Sequence, residues 1–400
     1  MPKKIFIALV VLLIIVSGVI FFYSKIKKPE SSGTQTATPG VTDTEVLLGS
    51  SSALSGHSGY LGTNYLHGAM ARINQINEEG GINGRQIKVI SYDDQYDPGQ
   101  CVVNTQKLIN DDKVFALFNY VGTPTGVKAV PIIEEAKIPL VGMFTGANAF
   151  REPLKKYVFN IRASYYQETE VAIEHFVNHL GLKKVAVFYQ ADAYGLDGLE
   201  GTKIALKKRG LELTVEGSYT RGTTDVEEAV KVISSSGAEA VVMVGTYSPT
   251  AKFVKLVKEK NPKMFFHSVS FVGPDEFVKD LGDKTENVFI TQVVPPPNEY
   301  AANFFWAIDA YTQALKKYYP EEKPNLVGLE GYINAKVLIE GLRRSNRDLT
   351  RENFITALES IRDYSTGIGA PLNFSPTNHQ GLEKVFLTTF KDGNFVFVTN

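Results

Sequence analysis

From residue 44 onward the chain alternates two periods. Glu45–Ser50 is a short apolar run and reads as a buried strand. Asn64–Asn77 then puts Leu66, Met70, Ile73 and Asn77 on one helical face, with Ala69 and Ile76 beside them, and Gly80 and Gly81 end it. Gln86–Tyr92 is the next strand. Asp97 and Pro98 open a helix, because aspartate caps well and proline suits a first turn. Val114–Asn119, Pro124–Ala136 and Pro139–Gly142 read as strand, helix and short strand. A second series begins near Tyr165 with a helix carrying Val171, Phe176 and Leu180. Lys184–Gln190, Glu212–Ser218, Ala240–Gly245 and Met264–Val269 read as strands, and Gly195–Lys208 and Pro249–Lys260 as helices. Thr224 and Glu227 have capping-box spacing ahead of a helix bearing Val226, Val230 and Ile233. Strands alternating with helices predict parallel sheets covered on both faces, and two series predict two α/β lobes. Ligands of open α/β sheets bind beyond the carboxyl ends of the strands. The loops expected to carry chemistry are therefore 51–62, 93–97, 120–124, 143–148, 190–194, 246–249 and 270–274.

The N-terminus follows a different pattern. Lys3 and Lys4 precede an apolar run from Ile5 to Tyr23, broken only by Ser17 and Gly18. As a helix it spans about 28 Å, close to the hydrocarbon thickness of a bilayer. It ends in Phe21-Phe22-Tyr23, a poor cleavage site, and no lipid-accepting cysteine follows. Residues 1–28 are expected to be a membrane anchor, or else a long signal peptide cut at an atypical place. Residues 29–43 are small, polar and contain two prolines, which predicts a flexible linker.

Composition narrows the function. The 400 residues include 42 Lys and Arg against 43 Asp and Glu, so no basic excess points to nucleic acid. One cysteine, Cys101, excludes an internal disulfide and is read as a small buried helix residue. Enzyme motifs fail one by one. His175 and His179 are four apart, but Phe176 stands where a zinc peptidase needs glutamate, and no third ligand is evident. Gly56-His57-Ser58-Gly59 lacks nucleophile-elbow spacing, and Gly367-Ile368-Gly369 lacks the third glycine of a dinucleotide fingerprint. Asp93 and Asp94 read as turn residues. No metal and no cofactor is expected.

The opening of the folded part is more specific. Ser50-Ser51-Ser52-Ala53-Leu54-Ser55-Gly56 is followed by Asn77-Glu78-Glu79-Gly80-Gly81-Ile82-Asn83-Gly84-Arg85 and by Asp93-Asp94-Gln95-Tyr96-Asp97-Pro98. This resembles the branched-chain amino acid binding proteins, the type I periplasmic solute receptors of ABC importers. The likeness continues through Val158–Arg162, Asp192–Gly195, Gly245–Pro249 and Leu329–Tyr332, and covers essentially all of 44–400. It implies a two-lobed Venus flytrap fold of class α/β, each lobe a mainly parallel sheet flanked by helices, with three crossover segments and no catalytic activity. The crossings are expected near 161–165, 268–294 and 364–371. The lobes are then 44–163 plus 294–364, and 164–293 plus 365–400.

The resemblance also implies site residues. In Asn119–Thr125, Thr123 and Pro124 suit a helix start, whose free N–H groups and partial positive charge attract a carboxylate. The family holds the ligand carboxylate on this loop, with serine where Gly122 stands, so Thr123 would supply the hydroxyl; the plainer alternative is that Thr123 only caps its helix. The backbone of Phe144 and the group at Gly146 would contact the polar head, with Thr145 replacing the family's threonine. Ser55, Tyr60 and Leu61 would line the mouth. Tyr194 and Tyr247 would form aromatic walls from the second lobe, and Tyr165 and Tyr166 would add to the cleft at the first crossing. The family's acidic partner for a ligand ammonium is missing: Ser270 falls nearest, with Asp275 and Glu276 as displaced alternatives. An aromatic or aliphatic acid thus competes with a branched-chain amino acid as ligand. The family's disulfide positions hold Tyr96 and Val121. The expected partners are a small carboxylate, an ABC permease and the membrane through the N-terminal helix; the alternative is a tethered sensor that signals through another chain.

Overall fold

Why the chain folds as two lobes follows from its strand order. The computed structural model describes residues 38–398. The first series supplies β1 (Glu45–Ser52), β2 (Gln86–Asp93), β3 (Ala116–Phe118), β4 (Leu140–Val141) and β5 (Val158–Phe159). They form one all-parallel sheet in the order β2-β1-β3-β4-β5. Between them run α1 (Gly59–Glu78), α2 (Pro98–Asn110) and α3 (Thr123–Ala136). The second series supplies α4 (Tyr165–Ile173), β6 (Val185–Gln190), α5 (Ala193–Lys207), β7 (Val215–Tyr219), α6 (Glu227–Ser235), β8 (Ala240–Val244), α7 (Tyr247–Lys260), β9 (Phe265–Ser268), α8 (Pro274–Leu281) and β10 (Val288–Gln292). Its sheet runs β14-β13-β10-β9-β8-β6-β7, where β13 (Phe386–Lys391) and β14 (Asn394–Phe397) are the antiparallel edge. Both sheets reverse strand order between their first and third strands, and that is where an open α/β sheet forms a ligand crevice.

The chain then returns to the first lobe. α9 (Glu299–Ala302) and α10 (Ala307–Tyr318) precede α11 (Leu326–Arg344) and α12 (Arg351–Glu359). α11 presses backbone to backbone on α1: a Cβ on Gly68 would lie 1.8 Å from the Gly328 carbonyl oxygen, so only glycine permits this approach. The second passage is shorter than the expected 268–294, and the third lies later than the expected 364–371. β10 belongs to the second sheet through Gln292, so the second passage starts after it. Residues 364–372 close on themselves as the ribbon β11 (Tyr364–Ser365) and β12 (Pro371–Leu372), and the third passage follows that ribbon. It runs beside the first: Asn160 N–H donates to the His379 carbonyl, and Leu382 N–H to that of Ile161. At the ribbon, Gly367 presses on the ring of Trp306, over which the buried Lys336 ammonium sits 3.8 Å from the centroid while donating to the Thr366 carbonyl.

Two local expectations fail. Thr224 and Glu227 do not form a capping box, because α6 begins at Glu227 with Val226 before it, and Glu227 pairs with Lys252 instead. Thr123 is not a cap either, since Gly122 holds that position. Cys101 is buried, as read from the sequence. The apolar run Ile5–Tyr23 and most of the linker lie outside the described residues; among the described residues no helix is long and apolar enough to cross a membrane.

Candidate functional site

The lobes meet along the ends of both sheets. On the first lobe, β3 leads through Asn119–Val121 into Gly122, whose φ of +102° only glycine adopts without strain. A Cβ there would also lie 2.2 Å from the Tyr96 ring. This accounts for two departures from the resembled family at once: the large ring at Tyr96 takes the space a serine would need at 122. Thr123 Oγ1 and Thr145 Oγ1 are 2.7 Å apart and buried, so the two hydroxyls expected at the polar head stand side by side. The amides of Thr123 and Thr125 occupy the first turn of α3, where no intrahelical acceptor exists.

Other expected residues divide. The Phe144 N–H donates to the Tyr120 carbonyl and its own carbonyl accepts from Gly122, so its backbone is committed inside the lobe while its ring faces the cleft. Gly146 lies under Tyr165, whose N–H donates to the Gly146 carbonyl and whose ring fills the space beyond its Cα. Ser55 is exposed at the rim, its hydroxyl 2.5 Å from Asp93 Oδ2. Leu61 is buried, and its side chain approaches Gly273 across the interface. Tyr60 donates to Asp275 Oδ2 across the lobes at 3.1 Å and meets Tyr247 edge-on at 6.2 Å. Asp275 is thereby taken, and burial raises its pKa to about 6. Glu276 pairs with Lys279 on its own helix. Tyr166 turns away: neighbouring residues of a helix point about 100° apart, and while Tyr165 faces the cleft, Tyr166 packs on Gly201 of α5.

The second lobe contributes rings. Phe271, fully buried, packs in tilted pairs at centroid distances of 4.7 Å from Tyr194, 5.2 Å from Phe144 and 5.9 Å from Tyr96. It lies in the 270–274 loop expected from the sequence to carry chemistry, and with Tyr194 and Tyr247 it reads from the sequence as part of an aromatic-rich pocket. The charges beneath it were not foreseen. Arg162, at the first passage, is fully buried between Glu168 of α4 and Glu330 of α11. Glu168 is saturated: it accepts from Arg162 Nη2 at 3.0 Å, from the Ser270 N–H at 2.7 Å and hydroxyl at 3.0 Å, and from Thr291 Oγ1 at 2.7 Å. Ser270 also accepts from Arg162. A carboxylate therefore does stand at Ser270, supplied from 102 positions earlier in the chain, but its acceptor capacity is spent. Glu330 is held less well: its Oε2 accepts from Arg162 Nη1 at 3.5 Å, and its Oε1 lies 3.3 Å from the same nitrogen without hydrogen-bond geometry. Burial, partly offset by Arg162, raises the Glu330 pKa to about 7.

The model of one protein family, the periplasmic binding proteins, matches residues 45–394. The chain belongs to that family. Within it, the resemblance to the type I, branched-chain amino acid binding branch is sustained by structure. A solved structure of a possible leucine/isoleucine/valine-binding protein from Rhodopirellula baltica superimposes with a TM-score of 0.84 at 32% identity, covering 91% of this receptor and 98% of that chain. A protein of Pseudomonas aeruginosa named amino acid binding protein is 29% identical over 238 residues, which span 60% of this receptor and 64% of that protein. The fold, though, extends to another named solute: a fatty acid ABC transporter substrate-binding protein from Thermomonospora curvata superimposes at 0.82 with 23% identity, over 90% of this chain and 92% of that one.

Proposed function

We propose that the protein is an extracytoplasmic receptor that captures a small carboxylate-bearing solute between its lobes and delivers it to an ABC permease. The observation that carries this reading is the start of α3. There a φ-positive glycine, two first-turn amides and the Thr123–Thr145 hydroxyl pair form one polar surface at the switch point of the first sheet. Such a helix start favours an anion. Facing it are Phe271, Tyr194 and Tyr165, flat and largely apolar, which suit the body of a small organic acid. The lobes touch through Tyr60–Asp275 and Phe271–Phe144, the arrangement expected of the closed form. A solute that prefers this form shifts the population toward it, and a permease reads the result. Membrane attachment through Ile5–Tyr23 would keep the receptor beside that permease. No catalytic step is assigned.

The test is a thermal-shift panel on the full chain, with branched-chain and aromatic amino acids, benzoate-type acids and aliphatic acids, each beside its amide. Solute at about 100 times its dissociation constant adds roughly 2.7 kcal/mol, a rise of several degrees. The expected result is a shift with free acids and none with the amides. Equal shifts for both would remove the carboxylate assignment at Thr123, and no shift with any solute would remove the receptor reading.

A further inference from the structure

A small cavity survives between the closed lobes, and its chemistry is one-sided. It measures about 10 Å³ and is lined by Phe144, Ser270, Pro274, Gln292, Leu326 and Glu330, among others. That is room for one water-sized group. Glu330 and Gln292, 4% and 2% exposed, each present an atom with no hydrogen-bond partner among the described residues, Gln292 Nε2 and Glu330 Oε1, the latter in ion-pair range of Arg162 only. Half a turn of a glutamine amide exchanges its oxygen and its nitrogen; turned over, Gln292 offers a second acceptor beside the Glu330 carboxylate. Charge points the same way. Two carboxylates face the single guanidinium of Arg162, and Glu168 takes the better share of it. The other buried cation nearby, Arg151, spends its donors on Gln380 and on the carbonyls of Ala147, Thr145 and Arg162, and faces Asp197. The floor of the cleft is left with one uncompensated negative charge, which a buried site tolerates only with a cation or a proton.

We propose that Glu330 and Gln292 seat a small ammonium-type cation at the floor of the cleft. Its source is either the ammonium of the captured solute, which makes that solute an amino acid, or a free ammonium ion bound beside a simple acid. The inference rests on the receptor reading above. It places the counter-charge on α11 of the first lobe, not in the 270–276 segment.

The test is calorimetric titration of the full chain and of Glu330→Gln, with leucine, phenylalanine, their deaminated analogues 4-methylpentanoate and 3-phenylpropanoate, and ammonium chloride. Wild type is expected to prefer the amino acids, and E330Q to lose their affinity at least about tenfold, the loss of one charged hydrogen bond. The analogues should change less than about twofold, since they offer no such bond. Should the cation be free, ammonium chloride will tighten the analogues in wild type and leave E330Q unmoved. A merely structural ion pair would lower the melting temperature of ligand-free E330Q; removing surplus charge should leave it level or higher. Gln292→Leu, which keeps Glu330 and Arg162 together, should weaken amino acids selectively as well. Amino-acid affinity retained in both variants, or analogues bound as tightly as amino acids with no ammonium effect, overturns the proposal while leaving the receptor reading intact. Absence of all binding overturns both.

Discussion

The two walls of the cleft sit on strand ends of the same topology, yet they are built from opposite materials. The first lobe presents backbone and small hydroxyls: Gly122, Thr123, Thr145. The second presents rings, and its polar groups near the cleft, Glu168 and Ser270, are consumed by one another and by Arg162. A polar, backbone-built wall is rigid before a solute arrives, because its donors are held by the helix itself. An aromatic wall gains little until it is covered, because ring burial is worth most when water is excluded. The first lobe is thus suited to recognise and the second to close.

That division can be broken at several points. The largest effect is expected at the charge shared by both walls. Arg162→Leu leaves Glu168 and Glu330 buried without a cation and should lower the unfolding free energy by about 3–5 kcal/mol in a urea titration. A loss below about 1 kcal/mol would mean that the two carboxylates are not both ionised. Phe271→Ala should cost up to about 3 kcal/mol of burial. Because that ring is buried between lobes, the cost should show in small-angle scattering as a larger radius of gyration, with each lobe still folded. Thr123→Val acts on the recognising wall and should weaken a carboxylate solute by roughly 1–3 kcal/mol, measured where the free variant, which also loses the buried hydrogen bond to Thr145, is still folded; unchanged affinity would sink the division outright.

A pH series sharpens the comparison from below. Burial raises the Glu330 carboxyl to about 7 from an unfolded value of 4.5, so between these limits the folded state binds the proton and the unfolded state does not. Its contribution therefore falls as pH rises through that window, by at most about 1.4 kcal/mol per unit for one proton. In E330Q this component of the slope should vanish from melting curves recorded between those limits. The smallest effect is expected at the rim. Tyr247→Ala removes the edge-on pair with Tyr60 and should cost closure about 0.5–1.5 kcal/mol, read as a faster solute release rate.

The alternation of periods made both sheets legible in the sequence, because strands buried on both faces are continuous apolar runs and the helices between them are amphipathic. The loops that carry the cleft followed from strand ends alone. What could not be read was which distant side chains share a point. Glu168 reaches Ser270 only because α4 packs beside β10, and nothing in the spacing of 168, 270 and 291 signals it. Glu330 belongs to a stretch already quoted for its family likeness, Leu329–Tyr332, but likeness alone gave it no task. Tyr165 and Tyr166 looked equivalent in the chain, and helix phase separated them. The Thr224–Glu227 spacing was a true motif without a helix start to serve, since Val226 is pulled into the core and sets the first turn one residue before Glu227.

Trp306 is the single tryptophan of the chain and stands 55% exposed on the second passage, with Gly367 against one part of its indole and the Lys336 charge over its ring. The adjacent Phe305 meets Phe386 and Phe397 of the second sheet, at 5.8 and 6.1 Å between ring centroids, so a rotation of one lobe on the other pulls on the turn that holds the indole. The emission of an indole responds to such changes in nearby field and solvent. The receptor therefore carries an optical gauge of its own closure, readable in unlabelled protein as a change in fluorescence while solute is titrated.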